Sequence, residues 1–164
     1  MRTVWASDAD EPGLNAALAG WVNGKLFGES GTGFGPCTTM GVFDGDHLLG
    51  VMVYHNYNSK AGVIEISGAA EHARWLTNAV LLEMFAYPFD QIGCQLVVMR
   101  VSEENRRLSR ILTAYGFDRY KIPRLRGRHE DEIVFTLTDD RWRNNRFHRR
   151  VIDNGKELSR AHAA

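Results

Sequence analysis

Apolar and polar positions follow each other most regularly between residues 95 and 117. The apolar run Gln95–Val101 predicts a buried strand. The segment after it has apolar residues at i, i+3, i+4 and i+7, which are Leu108, Ile111, Leu112 and Tyr115. This spacing places them on one face of a helix. Gly116 follows the last of them and predicts the end of that helix, because glycine readily takes a positive φ.

The remaining patterns predict further strands and helices in mixed order. The predicted strands are Arg2–Ala6, Cys37–Phe43, His47–Tyr57, Ala61–Ser67 and Glu132–Leu137. A helix is predicted at residues 14–22 and a second at Trp75–Tyr87, before Pro88. Gly24–Pro36 predicts a loop, and Asp44-Gly45 predicts a hairpin turn. This order indicates a single-domain α+β protein with three layers and a mixed central sheet.

Length and composition favour one ordinary globular domain. The chain has 164 residues, of which 44% are hydrophobic and 24% charged. Because no apolar run reaches the roughly 18 residues of a membrane helix and no signal peptide is evident, we expect a cytoplasmic protein. The two cysteines, Cys37 and Cys94, lack metal-ligand spacing and are expected to be reduced thiols.

Charge is distributed unevenly along the chain. Residues 1–99 hold 4 Lys/Arg against 10 Asp/Glu, whereas residues 100–164 hold 16 against 10. We therefore expect the C-terminal part to meet an anionic cofactor or partner. Residues 1–140 are expected to form the domain, and residues 141–164, rich in arginine and aromatic residues at their start, a basic extension that docks a protein partner.

Several segments resemble the GNAT superfamily of N-acetyltransferases, and among them the RimJ/RimL-like subgroup. The matching segments are Val63–Ile66, Thr77–Ala79, Phe85–Phe89, Asn105–Phe117 and Asp139–Trp142. The resemblance implies a GNAT-like α/β/α fold, acetyl-CoA as cofactor and no metal. It also implies a primary amine as acceptor, either on a small molecule or at a protein N-terminus.

The resemblance and the residue chemistry together suggest three candidate catalytic residues. Glu65 is the candidate general base, because an ammonium must lose a proton before it can attack a thioester, and a strand carboxylate can take that proton through a water. Ser109 and Tyr115 are candidates for protonating the leaving thiolate. Ser109 lies one position beyond the family's cleft serine, where Leu108 stands instead. Tyr115 completes the apolar helix face, so core packing is its alternative role.

The expected cofactor site includes a loop that lacks the family's glycines. The candidate cofactor-binding residues are Ile66, Gly68, Ala73, Arg74, Trp75, Leu76, Asn105, Arg107 and Arg110. In the family, a Gly-rich loop holds the pyrophosphate with bare N–H groups. Here the corresponding stretch after Gly68, Ala69–Leu76, contains no glycine, and Glu71 would repel a phosphate. Asn105 is expected to cap its helix or to bond the pantetheine arm; the arginines neutralise phosphates or are solvated.

The degenerate loop leaves a second function open. A GNAT-like module without cofactor would serve as a structural or interaction protein, and similar small domains occur among phage proteins, including components of the virion. Nucleic-acid binding by the basic C-terminal part is a weaker alternative, because Glu130–Glu132 and Asp139-Asp140 flank the arginines. The acyl acceptor and the formation of a homo-oligomer remain open.

Overall fold

A computed structural model describes residues 1–147 and contains one seven-stranded sheet in the order β1-β2-β3-β4-β5-β7-β6. The strands are β1 (Arg2–Ser7), β2 (Cys37–Asp44), β3 (His47–Asn58), β4 (Val63–Ala70), β5 (Leu96–Ser102), β6 (Asp118–Gly127) and β7 (Glu130–Thr138). The helices are α1 (Pro12–Phe27), α2 (Asn78–Ala86), α3 (Arg106–Tyr115) and α4 (Asp139–Arg143). The structure confirms the predicted α+β class with a mixed sheet.

The sheet is antiparallel at every junction except between β4 and β5, which run parallel. The parallel pair requires a crossover, which α2 supplies. The predicted hairpin between β2 and β3 is confirmed, with Asp44 paired to His47 and Gly45 at φ 58°. Strand β5 therefore lies between a parallel and an antiparallel neighbour, and this change of direction bears on the site described below.

Helices cover the sheet on both faces. On one face, Leu18 and Val22 of α1 pack against Val51 and Val53 of β3. On the other face lies the larger apolar cluster, which is shared by α2, α3, α4 and the sheet and in which Phe85 is completely buried. No helix among residues 1–147 is long and apolar enough to cross a membrane.

Several elements differ from the sequence prediction. Helix α1 continues through Gly24 to Phe27, and the loop predicted at Gly24–Pro36 starts later as a result. Helix α2 starts at Asn78 rather than Trp75, since the Thr77 hydroxyl caps it by accepting from the Val80 N–H at 3.2 Å. Beyond α2, a π-helical segment, Tyr87–Ile92, continues past Pro88.

The start of the predicted C-terminal extension packs on the domain. Trp142 is fully buried and stacks on Phe89, with ring centroids 5.2 Å apart. Asn145 is also buried, and its side-chain amide donates to the Tyr115 carbonyl. The division at residue 140 stays a prediction, and residues 148–164 of the extension lie outside the described residues.

Candidate functional site

Strands β4 and β5 separate partway along their length. Their Cα partners are Val63 with Leu96, Ile64 with Val97, and Glu65 with Val98, and no further pairs follow. Both strands continue beyond this point, β4 to Ala70 and β5 to Ser102. A cavity of about 700 Å³ lies where they diverge. The sheet therefore has an opening in its middle rather than a continuous ladder.

Both faces of the sheet contribute to the cavity. Ile66 and Gly68 of β4 and Met99 and Val101 of β5 line it, and they flank the gap between the two strands. Asn105 and Leu108, at the start of α3, line it from one face. On the other face the lining comes from Phe27 at the end of α1 and from the segment that follows, which includes Phe34. The cavity is thus a passage through the sheet.

Glu65 lies at the point where the strands part. Its side chain is 16% exposed, and its Oε2 accepts a hydrogen bond from Asn56 Nδ2 at 2.9 Å. The other oxygen, Oε1, lies 4.0 Å from His55 Nε2. Because no arginine or lysine of the described chain pairs with Glu65, its carboxylate can accept a proton or bind a cation.

A second carboxylate in the cavity, that of Glu132, is paired with two arginines. Glu132 is buried, and its Oε2 accepts from Arg100 Nε at 2.9 Å and from Arg100 Nη2 at 2.6 Å. Its Oε1 accepts from Arg126 Nη1 at 2.9 Å. Two guanidinium partners thus form charge-assisted hydrogen bonds with this carboxylate. A third carboxylate that lines the cavity, that of Glu130, lies 3.4 Å from Arg126 Nε. Of these three carboxylates, only that of Glu65 has no arginine or lysine partner in the described chain.

The loop between β4 and α2 does not offer the N–H groups that a pyrophosphate needs. The N–H groups of Glu71 and His72 donate to the Leu49 carbonyl, those of Trp75 and Thr77 to carbonyls within the loop, and that of Arg74 to His72 Nδ1. Within residues 71–77, all of which the structure describes, only those of Ala73 and Leu76 are not engaged in this way.

Side chains of the same loop are also engaged. The Glu71 carboxylate forms an ion pair with Lys25 at 2.5 Å, and both side chains are about half exposed. Trp75 is buried in the main apolar cluster, and its indole lies so close to Gly50 that a Cβ there would come within 2.8 Å of the ring. Because most of its N–H groups and its Glu71 and Trp75 side chains are engaged within the protein, this loop does not fit a pyrophosphate.

The structure brings some of the predicted site residues together. Those that line the cavity are Glu65, Ile66, Gly68 and Asn105. Asn105 also caps α3, with its Oδ1 accepting from the Leu108 N–H at 3.2 Å, so the expected cap is present and only its side-chain NH₂ is left to bond a ligand.

Two predicted catalytic residues lie elsewhere. Ser109 lies in a groove beside Arg110 and Ile133, and its hydroxyl has no hydrogen-bond partner among the described residues. Tyr115 is buried between aromatic rings, 5.1 Å from that of Phe85. Burial raises the pKa of the Tyr115 phenol, which makes it a poor proton donor. Neither residue lines the cavity of Glu65. Both are instead among the buried residues of α3.

The remaining predicted cofactor residues do not line the cavity either. They are Ala73, Arg74, Trp75, Leu76, Arg107 and Arg110. Arg74, Arg107 and Arg110 are exposed, as expected for solvated helix or loop positions. Their roles in cofactor binding stay predictions, and the geometry supports only the positions that line the opening.

Residues that the sequence did not single out as site residues complete the cavity. They include His55, Ser67, Arg100 and Glu132. Their common signal is register: His55 pairs with Glu65, and Glu132 pairs with Ser102, so alternating polar positions of four strands face the same side. Alternation within one strand is visible in a sequence, but the pairing of distant strands is not.

Comparison with solved structures finds similar folds. A spermidine/spermine N-acetyltransferase from Vibrio cholerae matches with a TM-score of 0.58 and 15% identity over 66% of this chain and 68% of that one. A protein from T. thermophilus that is assigned as an acetyltransferase matches with a TM-score of 0.60 and 17% identity, over 79% and 70% of the two chains. A third, described as a probable acetyltransferase, is covered over 63% of its length.

These similarities concern the fold, which is that of the GNAT acetyltransferases. No protein-family model matches the sequence. No curated protein matches it either.

Proposed function

We propose that this protein is an N-acyltransferase that moves an acetyl group from acetyl-CoA to a primary amine. One observation carries the proposal: strands β4 and β5 part at Glu65 and open a passage through the sheet, with that carboxylate at its edge. A thioester arm enters such a passage from one face and an amine from the other. The two reactants then meet beside a proton acceptor, as direct transfer requires.

Glu65 has the surroundings of a general base in this scheme. Asn56 holds one carboxylate oxygen at 2.9 Å, which fixes the side chain and leaves the second oxygen toward the cavity. An acceptor amine arrives as an ammonium, which the carboxylate attracts. Glu65 then removes a proton, directly or through a water, so that the nitrogen lone pair can attack. Glu132 remains bound to Arg100.

The passage provides apolar walls for the donor arm. Ile66 and Met99 are buried on either side of the gap, and the free NH₂ of Asn105 lies at one mouth. Acetyl-CoA, when bound, supplies the activated acetyl thioester. The chain's own contribution is to exclude water from the reacting centre, to orient the amine and to accept its proton.

The compared structures support the choice of acceptor class. One of them is named as a spermidine/spermine N-acetyltransferase, and polyamines are amines of the kind that a cavity carboxylate would attract. Membership of the RimJ/RimL-like subgroup, with small amines or protein N-termini as acceptors, remains part of the proposal.

The first test is the Glu65→Gln variant, assayed with acetyl-CoA and a panel of primary amines that includes spermidine. We expect kcat to fall by about 100-fold, because an amide cannot accept the proton. Glu104→Gln, at an exposed position outside the cavity, is the matched control and should keep the wild-type rate. Equal rates for wild type and Glu65→Gln would contradict the proposed role of Glu65.

The second candidate function is a GNAT-like module without cofactor, and the engaged N–H groups of residues 71–77 favour it. Acetyl-CoA should raise the melting temperature of an enzyme that binds it. At a concentration of 100 times Kd, the gain in the free energy of unfolding is roughly 2.7 kcal/mol. An unchanged melting temperature at millimolar acetyl-CoA, together with no acetylation of any amine, would favour an interaction role such as a phage component.

A partner of the C-terminal extension can be sought by deletion. Because Trp142 is fully buried, a deletion that starts at residue 141 would damage the core as well as the extension. Removal of residues 148–164 avoids this damage. Loss of a partner from that variant, with an unchanged melting temperature, would support a docking role for the extension.

A further inference from the structure

His55 lies in the wall of the cavity and has no part in the proposed function so far. Its side chain is only 6% exposed, yet it borders the opening beside Glu65. The Phe34 ring covers the imidazole, with ring centroids 4.8 Å apart. A polar ring that is buried at this place needs a hydrogen-bond partner. Ser67 of β4 supplies one, with its Oγ 2.9 Å from His55 Nε2.

The arrangement of the three polar groups differs from that of a serine-protease triad. In a triad, the serine and the carboxylate bond opposite nitrogens of the imidazole. Here both the Ser67 hydroxyl and the Glu65 carboxylate approach Nε2, at 2.9 and 4.0 Å. The histidine is therefore not held by Glu65 in the way that would make Ser67 a nucleophile. The geometry instead gives a hydrogen-bonded pair of Ser67 and the imidazole in the wall of the cavity, which both residues line.

The surroundings keep the imidazole able to accept a proton. Burial lowers the pKa of His55 below its ordinary value of 6.5, the Arg100 guanidinium lowers it further, and Glu65 opposes both effects. Arg100 lies on β5, Glu65 on β4 and the neutral Phe34 in the segment after α1. Asn56, which follows His55 on β3, binds Glu65 and is uncharged. The ring is thus neutral at pH 7 and faces one cation and one anion.

We propose that His55 accepts, through the hydroxyl of Ser67, the second proton that the acceptor nitrogen loses. Glu65 has taken the first, which leaves a neutral amine. As this amine attacks the thioester carbonyl and the C–S bond breaks, coenzyme A leaves as a thiolate. The nitrogen gives its second proton to Ser67 Oγ while the Ser67 O–H proton passes to His55 Nε2, so that an amide and an imidazolium form and the serine is unchanged. This inference rests on the proposed acetyltransferase function.

The kinetic test uses the pH dependence of kcat/KM with acetyl-CoA and the best amine of the panel. For the wild type we expect a loss of rate on the acid side as the imidazole becomes protonated. His55→Gln and Ser67→Ala should each lower kcat by about 100-fold and abolish that acid limb. Ser67→Thr keeps the hydroxyl and should restore much of the rate. His47→Gln, an exposed histidine at the start of the same strand, is the matched control.

A second test does not depend on activity. Nitrogen-15 NMR of the wild-type protein at pH 7 should show that His55 carries its proton on Nδ1, so that Nε2 accepts from Ser67. Mass spectrometry after incubation with acetyl-CoA should show no acetyl group on Ser67. An Nε2–H tautomer, or an acetylated Ser67 in an active enzyme, would overturn the relay while the acetyltransferase function stands.

The two proposals fail in different ways. If the wild-type protein acetylates no amine and acetyl-CoA does not stabilise it, the proposed function fails and the relay falls with it. If the enzyme is active and the pH profiles of Ser67→Ala and wild type have the same shape, only the relay is wrong. A lower rate in His55→Gln with an unchanged acid limb would likewise indicate a structural role.

Discussion

Strand β4 and the loop after it contain two regions whose polar groups are arranged in opposite ways. At the opening after Glu65, the strand loses its neighbour β5 and a cavity with polar side chains takes that place. In the loop that follows, residues 71–77, most backbone N–H groups are bonded within the protein and Trp75 is buried. One region is arranged to receive a ligand, and the other is closed on itself.

The difference means that the two parts of the proposed site depend on separate structural features. The opening depends on where two strands stop pairing, which the sheet topology sets. Anchoring a pyrophosphate depends on free N–H groups in one short loop. A chain can therefore keep the first and lack the second. If acetyl-CoA binds here, its arm and other surfaces must provide affinity that the loop does not.

The largest expected effect comes from breaking the ion pairs of Glu132 beside the opening. Glu132→Ala removes the buried carboxylate that Arg100 and Arg126 share. We expect a loss of about 3 kcal/mol in the free energy of unfolding, measured by urea denaturation. Glu104→Ala, which removes an exposed carboxylate, should change stability by less than about 0.5 kcal/mol. Similar values for the two variants would mean that the opening is not held by this network.

The packing of the loop at residues 71–77 can be disturbed through Gly50, which contacts Trp75. In Gly50→Ala the new Cβ would lie 2.8 Å from the Trp75 ring, so the indole must move. We expect a loss of about 2 kcal/mol and a shift in tryptophan fluorescence. Gly20→Ala in α1, where nothing lies within 4 Å of the new Cβ, should instead stabilise the protein by up to about 1 kcal/mol. Tighter acetyl-CoA binding by Gly50→Ala would show that the packed loop limits affinity.

Acidification should lower the free energy of unfolding through the buried His55. The pKa of His55 is lower in the folded protein than its ordinary value of 6.5. The unfolded chain therefore binds a proton at a higher pH than the folded chain does, and stability falls as the pH drops below about 6.5 toward the folded pKa. We expect His55→Gln to flatten the free energy of unfolding against pH in this range. An identical slope in the wild type and the variant would contradict the burial-driven shift.

The smallest expected effect concerns the charge on the loop. The Lys25–Glu71 ion pair is about half exposed, so Glu71→Gln should cost less than about 1 kcal/mol. The same change removes a negative charge near the phosphate position and should tighten acetyl-CoA binding a few-fold, more so at low salt. Unchanged affinity at both salt concentrations would indicate that the cofactor phosphates do not approach this loop.

Local patterns predicted much of the fold. Helix α3 spans Arg106–Tyr115, with Asn105 as its cap and Gly116 at φ 115° just after its end, as predicted. Ile111, which was predicted on its apolar face, is exposed. The strand before the helix also falls close to its predicted position, whereas the strand after it, β6, was not predicted. The confirmed features depend on neighbours in the sequence, since caps and apolar periodicity act within about two turns.

The site was predictable only in part, because it depends on contacts between distant segments. Glu65 was predicted from the family resemblance of its strand and from the chemistry of a carboxylate, and it does border the cavity. Its neighbour His55 comes from the register of β3 against β4, which no local pattern reveals. The burial of Trp75 likewise depends on Gly50, whose missing side chain makes room for the indole.

The parting of β4 and β5 gives this sheet an interior edge. Beyond Glu65 and Val98, alternate amide and carbonyl groups of both strands point toward the gap without a strand opposite them. Such groups retain their full capacity for hydrogen bonding, and elsewhere in proteins an edge of this kind lies at the rim, where solvent meets it. Here it is enclosed by helices and neighbouring strands. Any molecule that occupies the gap can therefore be recognised through its own amide groups, as an added strand would be, whatever its side groups.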